Sequence, residues 1–323
     1  MRSGFFVALL AVGACLGACP AVLAQSYPNK PLRLIIPFPP GGGADSVSRV
    51  VAQRLSVALG QNVLLDNRPG AGTIIATDLG AKAAPDGYTL LLITAAFTAN
   101  PSLHRKLPYD SVRHLKPVTQ LSAAPNILVV HPSVPAASVT ELIAYAKAHP
   151  NALNFGSAGN GTSNHFAGEM FRTMAQISAV HVPYKGTAPS ITDLIAGRIQ
   201  LLFIGLAPVE PHIKTGRLRA LAVASAKPSA VVPGLPTVAS SGLSNFESTV
   251  WNGIAAPAAT PNTIVERLHT EIVRVLAQPD TRQKILAMGF EPVGSSPAEF
   301  AQYVRGEMDR AARLVAEVGI RAE

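Results

Sequence analysis

The chain has 323 residues, of which 48% are hydrophobic and only 14% charged, with 27 Lys and Arg against 19 Asp and Glu for a formal charge of +8. Both cysteines, Cys15 and Cys19, fall near the N-terminus, so beyond them disulfides, thiolate nucleophiles and cysteine–zinc sites are excluded. The basic residues are scattered, with no dense tract and no interleaved aromatics. That argues against a nucleic-acid interface and for a surface that draws small anions inward.

Residues 1–24 read as a secretory leader. Arg2 is a minimal basic start, residues 5–17 form an apolar stretch too short to span a bilayer, and Val22-Leu23-Ala24 predicts cleavage before Gln25. A rival reading takes Leu16-Gly17-Ala18-Cys19 as a lipoprotein box and leaves a lipid anchor on Cys19. Both place the mature chain outside the cytoplasm, and a cysteine-free product suits a bacterial periplasm. What remains is long enough for two domains with full cores.

The first predicted strand, 32–36, runs into a Pro-rich turn, three glycines, and a helix whose first turn carries Asp45. Val47, Val50, Val51, Leu55, Ala58 and Leu59 recur at helical spacing, and Gly60 stands where a C-terminal cap belongs. A strand at 62–66, a loop at 67–72, a helix at 73–84, a turn at 85–87 and a strand at 88–93 follow. A second series begins with a strand at 126–131 and a helix opened by the capping pair Ser138 and Glu141. It continues with strand 153–157, a helix from Ser163, strand 179–183, helix 190–196, strand 199–204, a short helix and strand 218–225. Residues 227–245 form a Pro-, Gly- and Ser-rich connection, and 251–257 returns to strand character. Helices then begin at Thr260-Pro261 and at Ser296-Pro297-Ala298-Glu299, the latter an N-cap, an N1 proline and a capping box.

This alternation predicts an α/β protein with mainly parallel sheets. Terminal helices without further strand–helix units predict a C-terminus folded back onto the first lobe. The expected layout is a first lobe of 25–124 plus 252–323 and a second of 125–251, joined by two crossover strands near 123–127 and 249–253.

Two glycine turns carry the chemistry. In the first, Phe38 to Asp45 includes Gly41, Gly42, Gly43 and Ala44, which leave bare N–H groups beside the positive end of a helix dipole. The turn lacks the Lys-Ser/Thr pair of a nucleotide P-loop, so a carboxylate fits better than a nucleotide phosphate. In the second lobe, residues 155–165 again join a strand to a helix start, with Ser157, Gly159, Gly161, Thr162 and His165. The glycine order is wrong for a dinucleotide fingerprint. Read alone, the second turn fits an ordinary strand-to-helix connection capped by Thr162 or Ser163 better than a binding loop; the pair, one per lobe, predicts a shared anion site in a cleft. Thr94 and Ala96 follow a strand at the sheet edge where α/β ligands bind, and Tyr184 ends another strand. No G-x-S-x-G elbow, H-E-x-x-H motif or acid pair stands out. Neither catalytic residues, nor a metal, nor a cofactor is expected.

The segments PFPPGGGAD (37–45), NRPGAG (67–72), APDGYTLLL (84–92), GSAGNGTSNH (156–165), VPYKG (182–186), GLPTV (234–238) and WNGIAAPAATP (251–261) resemble the tripartite tricarboxylate transporter substrate-binding family, also called Bug proteins. The resemblance is collinear over nearly the whole chain. It implies a two-lobed type II periplasmic-binding-protein (Venus flytrap) fold and a monomer that is not an enzyme. Such a receptor captures an organic acid, an amino acid or an aromatic carboxylate between its lobes and passes it to the large and small membrane subunits of a tripartite transporter. It also implies ligand contacts from Phe38 through Asp45, Thr94 and its neighbours, Ser157 through His165, and the Tyr184 loop. The sequence departs from the family pattern at Ile204, where an acid is common, so an amine-free ligand is expected over an amino acid. A sensing co-receptor on the same fold, or an exported hydrolase of a carboxylated substrate, are the competing readings.

Overall fold

The computed structural model describes residues 27–229 and 232–319. The expected leader, with Cys15 and Cys19, lies outside the described residues. In chain order the strands and helices are β1 (Leu32–Ile36), α1 (Gly43–Leu59), β2 (Val63–Asn67), α2 (Ile74–Ala81), β3 (Thr89–Ile93), α3 (Ala95–Leu103), β4 (Leu115–Pro125), β5 (Ile127–Val130), α4 (Val139–Ala148), β6 (Leu153–Ser157), α5 (Ser163–Met174) and β7 (Ala179–Pro183). They continue with α6 (Thr187–Ile195), β8 (Leu201–Ile204), α7 (Glu210–Lys214), β9 (Arg219–Val223), β10 (Thr249–Pro257), α8 (Asn262–Ala277), α9 (Pro279–Ala287), β11 (Glu291–Pro292) and α10 (Pro297–Val318). Among the described residues no helix is long and apolar enough to cross a membrane.

Two sheets result, ordered β11-β4-β10-β3-β1-β2 and β7-β6-β8-β5-β9. Both are mixed rather than mainly parallel. The β1–β2, β1–β3, β6–β7 and β6–β8 pairs are parallel, while β4, β10, β11, β5 and β9 pair antiparallel. The cause is the crossover: β4 leaves the first sheet and, after Asn126 alone, the chain enters the second as β5, against the direction of β8. The return passes through Ser248 into β10, which pairs with β4 from Thr249 opposite Pro125 onward. The two crossings are tied together, with the Asn126 N–H donating to the Ser248 carbonyl at 3.0 Å and Asn126 Nδ2 to Ser248 Oγ at 2.8 Å.

Each sheet is covered on both faces, and in the second β5 and β8 are apolar and buried along their whole length. Leu32, Leu34 and Ile36 of β1 enter one core with Val47, Val51 and Leu55 of α1, while Ile35 enters the opposite core with Trp251 and Phe300. In the second sheet Leu128 and Val130 point to one core and Ile127 and Val129 to the other, the alternation a strand imposes. The buried face of α1 repeats at Val47, Val51 and Leu55, and Gly60 ends the helix in a left-handed conformation. After the crossover back, α8 packs on α1, and α10 lies against α3 and β4 and also reaches α5.

The sequence reading omits α3, β4, α9 and β11 and places the start of α6 too late. Helix α3 is hidden in the sequence because Pro101 sits inside its last turn, a position that resembles a stop signal. Strand β4 carries two prolines and four polar side chains and shows no apolar run, yet it is the longest strand. Helix α6 begins at Thr187, ahead of the expected Ser190, with Pro189 tolerated in its first turn, where no intrahelical donor is needed.

Candidate functional site

Between the sheets lies a cavity of about 780 Å³, including its open mouth. One side is formed by Phe38, Pro39, Pro40, Gly42, Gly43, Ala44, Thr94, Ala95, Val250, Trp251, Asn252 and Phe290. The other is formed by Ala158, Thr162, Ser163, Asn164, Gly186, Thr187, Ala188, Pro189, Ile204, Gly205 and Pro208. Four helices therefore begin in its wall: α1, α3, α5 and α6. The caps of α1 (Gly42), α3 (Thr94) and α6 (Gly186) make no side-chain capping hydrogen bond among the described residues. Their first-turn N–H groups have no capping side chain, and the dipoles of four helices sum to a positive potential in the cavity. None of the lining residues is Asp, Glu, Lys, Arg or His. The site is electropositive without carrying a formal charge.

The first glycine turn is held from beneath. Gly41 takes φ +91, which a side chain would resist, and its N–H donates to Asp45 Oδ2 at 3.0 Å. Asp45 is 1% exposed and also accepts from Arg49 Nε at 2.8 Å and from Asn67 Nδ2 at 2.9 Å, while Asn67 donates to the Phe38 carbonyl. Burial alone pushes its carboxyl up, but the bonds from Arg49, Asn67 and Gly41 outweigh that and hold it below the usual carboxylate range. Asp45 thus lies buried outside the cavity lining and, with the exposed Gly41, shapes the turn; Phe38, Gly42, Gly43 and Ala44 face the cavity.

The second turn divides in the same way. Thr162 lines the cavity, accepts from the His165 N–H as the N-cap of α5, and donates to the Gly159 carbonyl at 2.7 Å. Ser157 and His165 lie beneath it. His165 Nδ1 accepts from the Gly161 N–H at 3.1 Å, its ring stacks on His181 at 4.1 Å between centroids, and His181 Nε2 meets Ser157 Oγ at 2.7 Å. Burial, reinforced by the neighbouring His181, holds His165 down at about 3, and burial holds His181 at about 4, so both rings are neutral near pH 7. Glu169 brings a carboxylate within 4.8 Å of both rings, but it is paired with Arg172 at 2.6 Å. These contacts make the cluster a brace for the glycine turn. Both His165 and Glu169 are buried.

Of the other expected residues, Thr94 and Ile204 line the cavity, whereas Ala96 is buried behind it. Tyr184 and Gly159 line a smaller adjoining cleft that shares Phe38, Ala158 and Thr162 with the main one. The Tyr184 hydroxyl is turned to Asp193 Oδ2 at 2.7 Å, and burial followed by that carboxylate pushes its pKa up to about 12. Sequence reasoning missed the start of α6, for which Gly186 followed by Pro189 was the available signal. It also missed Trp251, Asn252 and Phe290, which come from remote segments and carry no local motif.

The two sides touch. A Cβ at Gly42 would stand 2.9 Å from Thr187 Oγ1, one at Gly186 3.0 Å from Pro39, and one at Gly161 3.0 Å from Leu103. Two α/β lobes closed over a cavity rimmed by helix N-termini define a two-lobed solute-binding protein.

The comparisons identify the family. The profile of the tripartite tricarboxylate transporter family receptor matches residues 47–320. BugT of Bordetella pertussis is 35% identical over 318 residues, covering 98% of this chain and 96% of that protein. The structure of Rpa4515 from R. palustris, solved with adipate, has a TM-score of 0.88 at 35% identity, over 91% of this chain and 99% of that one. MatC from Rhodopseudomonas palustris, with bound malate, has a TM-score of 0.85 at 29% identity, over 90% of this chain and all of that one. The chain belongs to the tripartite tricarboxylate transporter receptor family.

Proposed function

We propose that this protein captures a small carboxylate in the interlobe cavity and delivers it to the large and small membrane subunits of a tripartite tricarboxylate-type transporter. The observation that carries the reading is the meeting of four helix N-termini, three without a capping side chain, in a cavity free of charged side chains. Hydrogen bonds from such N–H groups to a carboxylate contribute about 1.5–3 kcal/mol each, enough for micromolar affinity from three or four of them. The adipate and malate held by the two relatives agree with this ligand class. The contacts fall to Phe38, Gly42, Gly43, Ala44 and Thr94 of one lobe and to Thr162 and the α6 start of the other. Gly41, Asp45, Ala96, Ser157, Gly159, Gly161 and His165 support them from behind or beside.

Ile204 and the other lining residues offer no acid to an ammonium group, so the ligand is an amine-free acid. The lining supplies no general base, which favours a receptor over an enzyme. The protein works as an exported monomer in the periplasm. Its lobes open about the paired crossings at Asn126 and Ser248, and ligand contacts from both sides favour closure. A thermal-shift panel of organic acids, aromatic acids and amino acids tests this reading. Ligand at about a hundred times its Kd should add roughly 2.7 kcal/mol of stability. Shifts confined to amino acids would refute it.

A further inference from the structure

Asn252 is 1% exposed, in the wall of the interlobe cavity. One end of its amide is fixed. Nδ2 donates to Ser122 Oγ at 3.1 Å, on the residue directly opposite in the β4–β10 ladder. The other end is not. Asn252 Oδ1 is buried and has no hydrogen-bond partner among the described residues. Val250 and Trp251 beside it are apolar. A buried amide oxygen is a costly group to leave unpaired, and at a ligand cavity the missing partner is naturally supplied by the ligand.

The field of the cavity fixes which end of the amide is offered. The helix starts present N–H donors and positive potential, and a side-chain amide dipole in that field turns its oxygen inward. Asn252 then adds a buried, unpaired acceptor to a wall whose helix starts supply donors.

We infer that Asn252 selects carboxylates whose carbon skeleton carries a neutral hydrogen-bond donor, a hydroxyl or an amide N–H, over the unsubstituted acid of the same length. This inference rests on the carboxylate reading above and narrows it. A ligand ammonium would also donate to Asn252, but its charge meets no acid in the lining and four helix dipoles of the same sign. A neutral donor satisfies the oxygen without that penalty. An acid without a donor leaves the oxygen unpaired and is expected to bind about tenfold to a hundredfold more weakly.

Calorimetric titration of the unfolded-and-refolded, ligand-free protein with matched pairs tests it. The pairs are succinate and its hydroxy analogue malate, adipate and 3-hydroxyadipate, and benzoate and its 3- and 4-hydroxy derivatives. In at least one pair the hydroxylated member should bind about tenfold tighter or better, and in Asn252→Leu the ratio within that pair should fall to near one. Should the leucine variant not fold, the pairs on the unaltered protein still decide. Equal or weaker binding of every hydroxylated member overturns the inference, as does a preference that survives Asn252→Leu. If no acid of any pair binds, the carboxylate reading itself falls, and this inference with it.

Discussion

Replacing Gly42 by alanine should weaken ligand binding while leaving the ligand-free protein folded. Gly42 has φ −83 and ψ 168, extended backbone that alanine adopts freely, so the substitution adds no backbone strain. What it adds is a methyl group 2.9 Å from Thr187 Oγ1 on the opposite side of the cavity, closer than real Cβ contacts. The relief available is rotation of the Thr187 side chain away from its present position, which costs on the order of 0.5–1.5 kcal/mol. That cost falls on the closed form alone. If the ligand is held between both lobes, its apparent Kd rises by the same free energy, roughly two- to tenfold. Titration of the strongest-binding acid against the variant measures the change. Gly42→Ala combined with Thr187→Ala separates the proposed collision from a clash with ligand, because removing the threonine branch frees the space only in the former case. Affinity unchanged in Gly42→Ala, or not recovered in the double variant, would refute the reasoning.

Four further outcomes are expected. Thr162→Ala removes the N-cap of α5, which should cost about 1 kcal/mol of stability in thermal unfolding and weaken ligand binding as well. Asp45→Asn should flatten the acid limb of the stability profile. The folded-state pKa of Asp45 is depressed, so its contribution is present above the unfolded value near ~4 and lost as pH falls through the folded value. His181 has a folded pKa of about 4. Its unfolded form takes up a proton first, so its share of the stability lost as pH falls from about 6.5 toward 4 is on the order of 3 kcal/mol in denaturant titrations, on top of the loss from His165. In His181→Asn the total loss should shrink. Ile204→Asp places a carboxylate in the cavity and should give amino acids a thermal shift that the unaltered protein does not show.

Much of the fold is legible in the sequence because its punctuation is chemical. Gly60, Ser138 with Glu141, and Ser296 with Glu299 mark helix ends by capping, and each cap is observed. Both glycine turns are legible too, but not which side of the turn faces the cavity. Gly42 and Thr162 line it, while Asp45, Ser157 and His165 brace it from behind; only the packed structure separates these roles. Ridges of the cavity contributed by Trp251, Asn252 and Phe290 are assembled from β10 and the segment before β11, brought together by the second crossover. No local spacing marks them. Strand β4 hides for a related reason, since its polar residues Thr119, Gln120 and Ser122 are buried by partners distant in the chain.

The central claim is that uncapped helix N–H groups, rather than charged side chains, hold a carboxylate. Its most direct test is a calorimetric comparison of the tightest-binding acid with the amide in which that carboxylate has become CONH₂. The two have nearly the same shape and differ in charge. Loss of affinity by about a hundredfold or more on amidation is the expected result, and binding of the amide as tightly as the acid would contradict it.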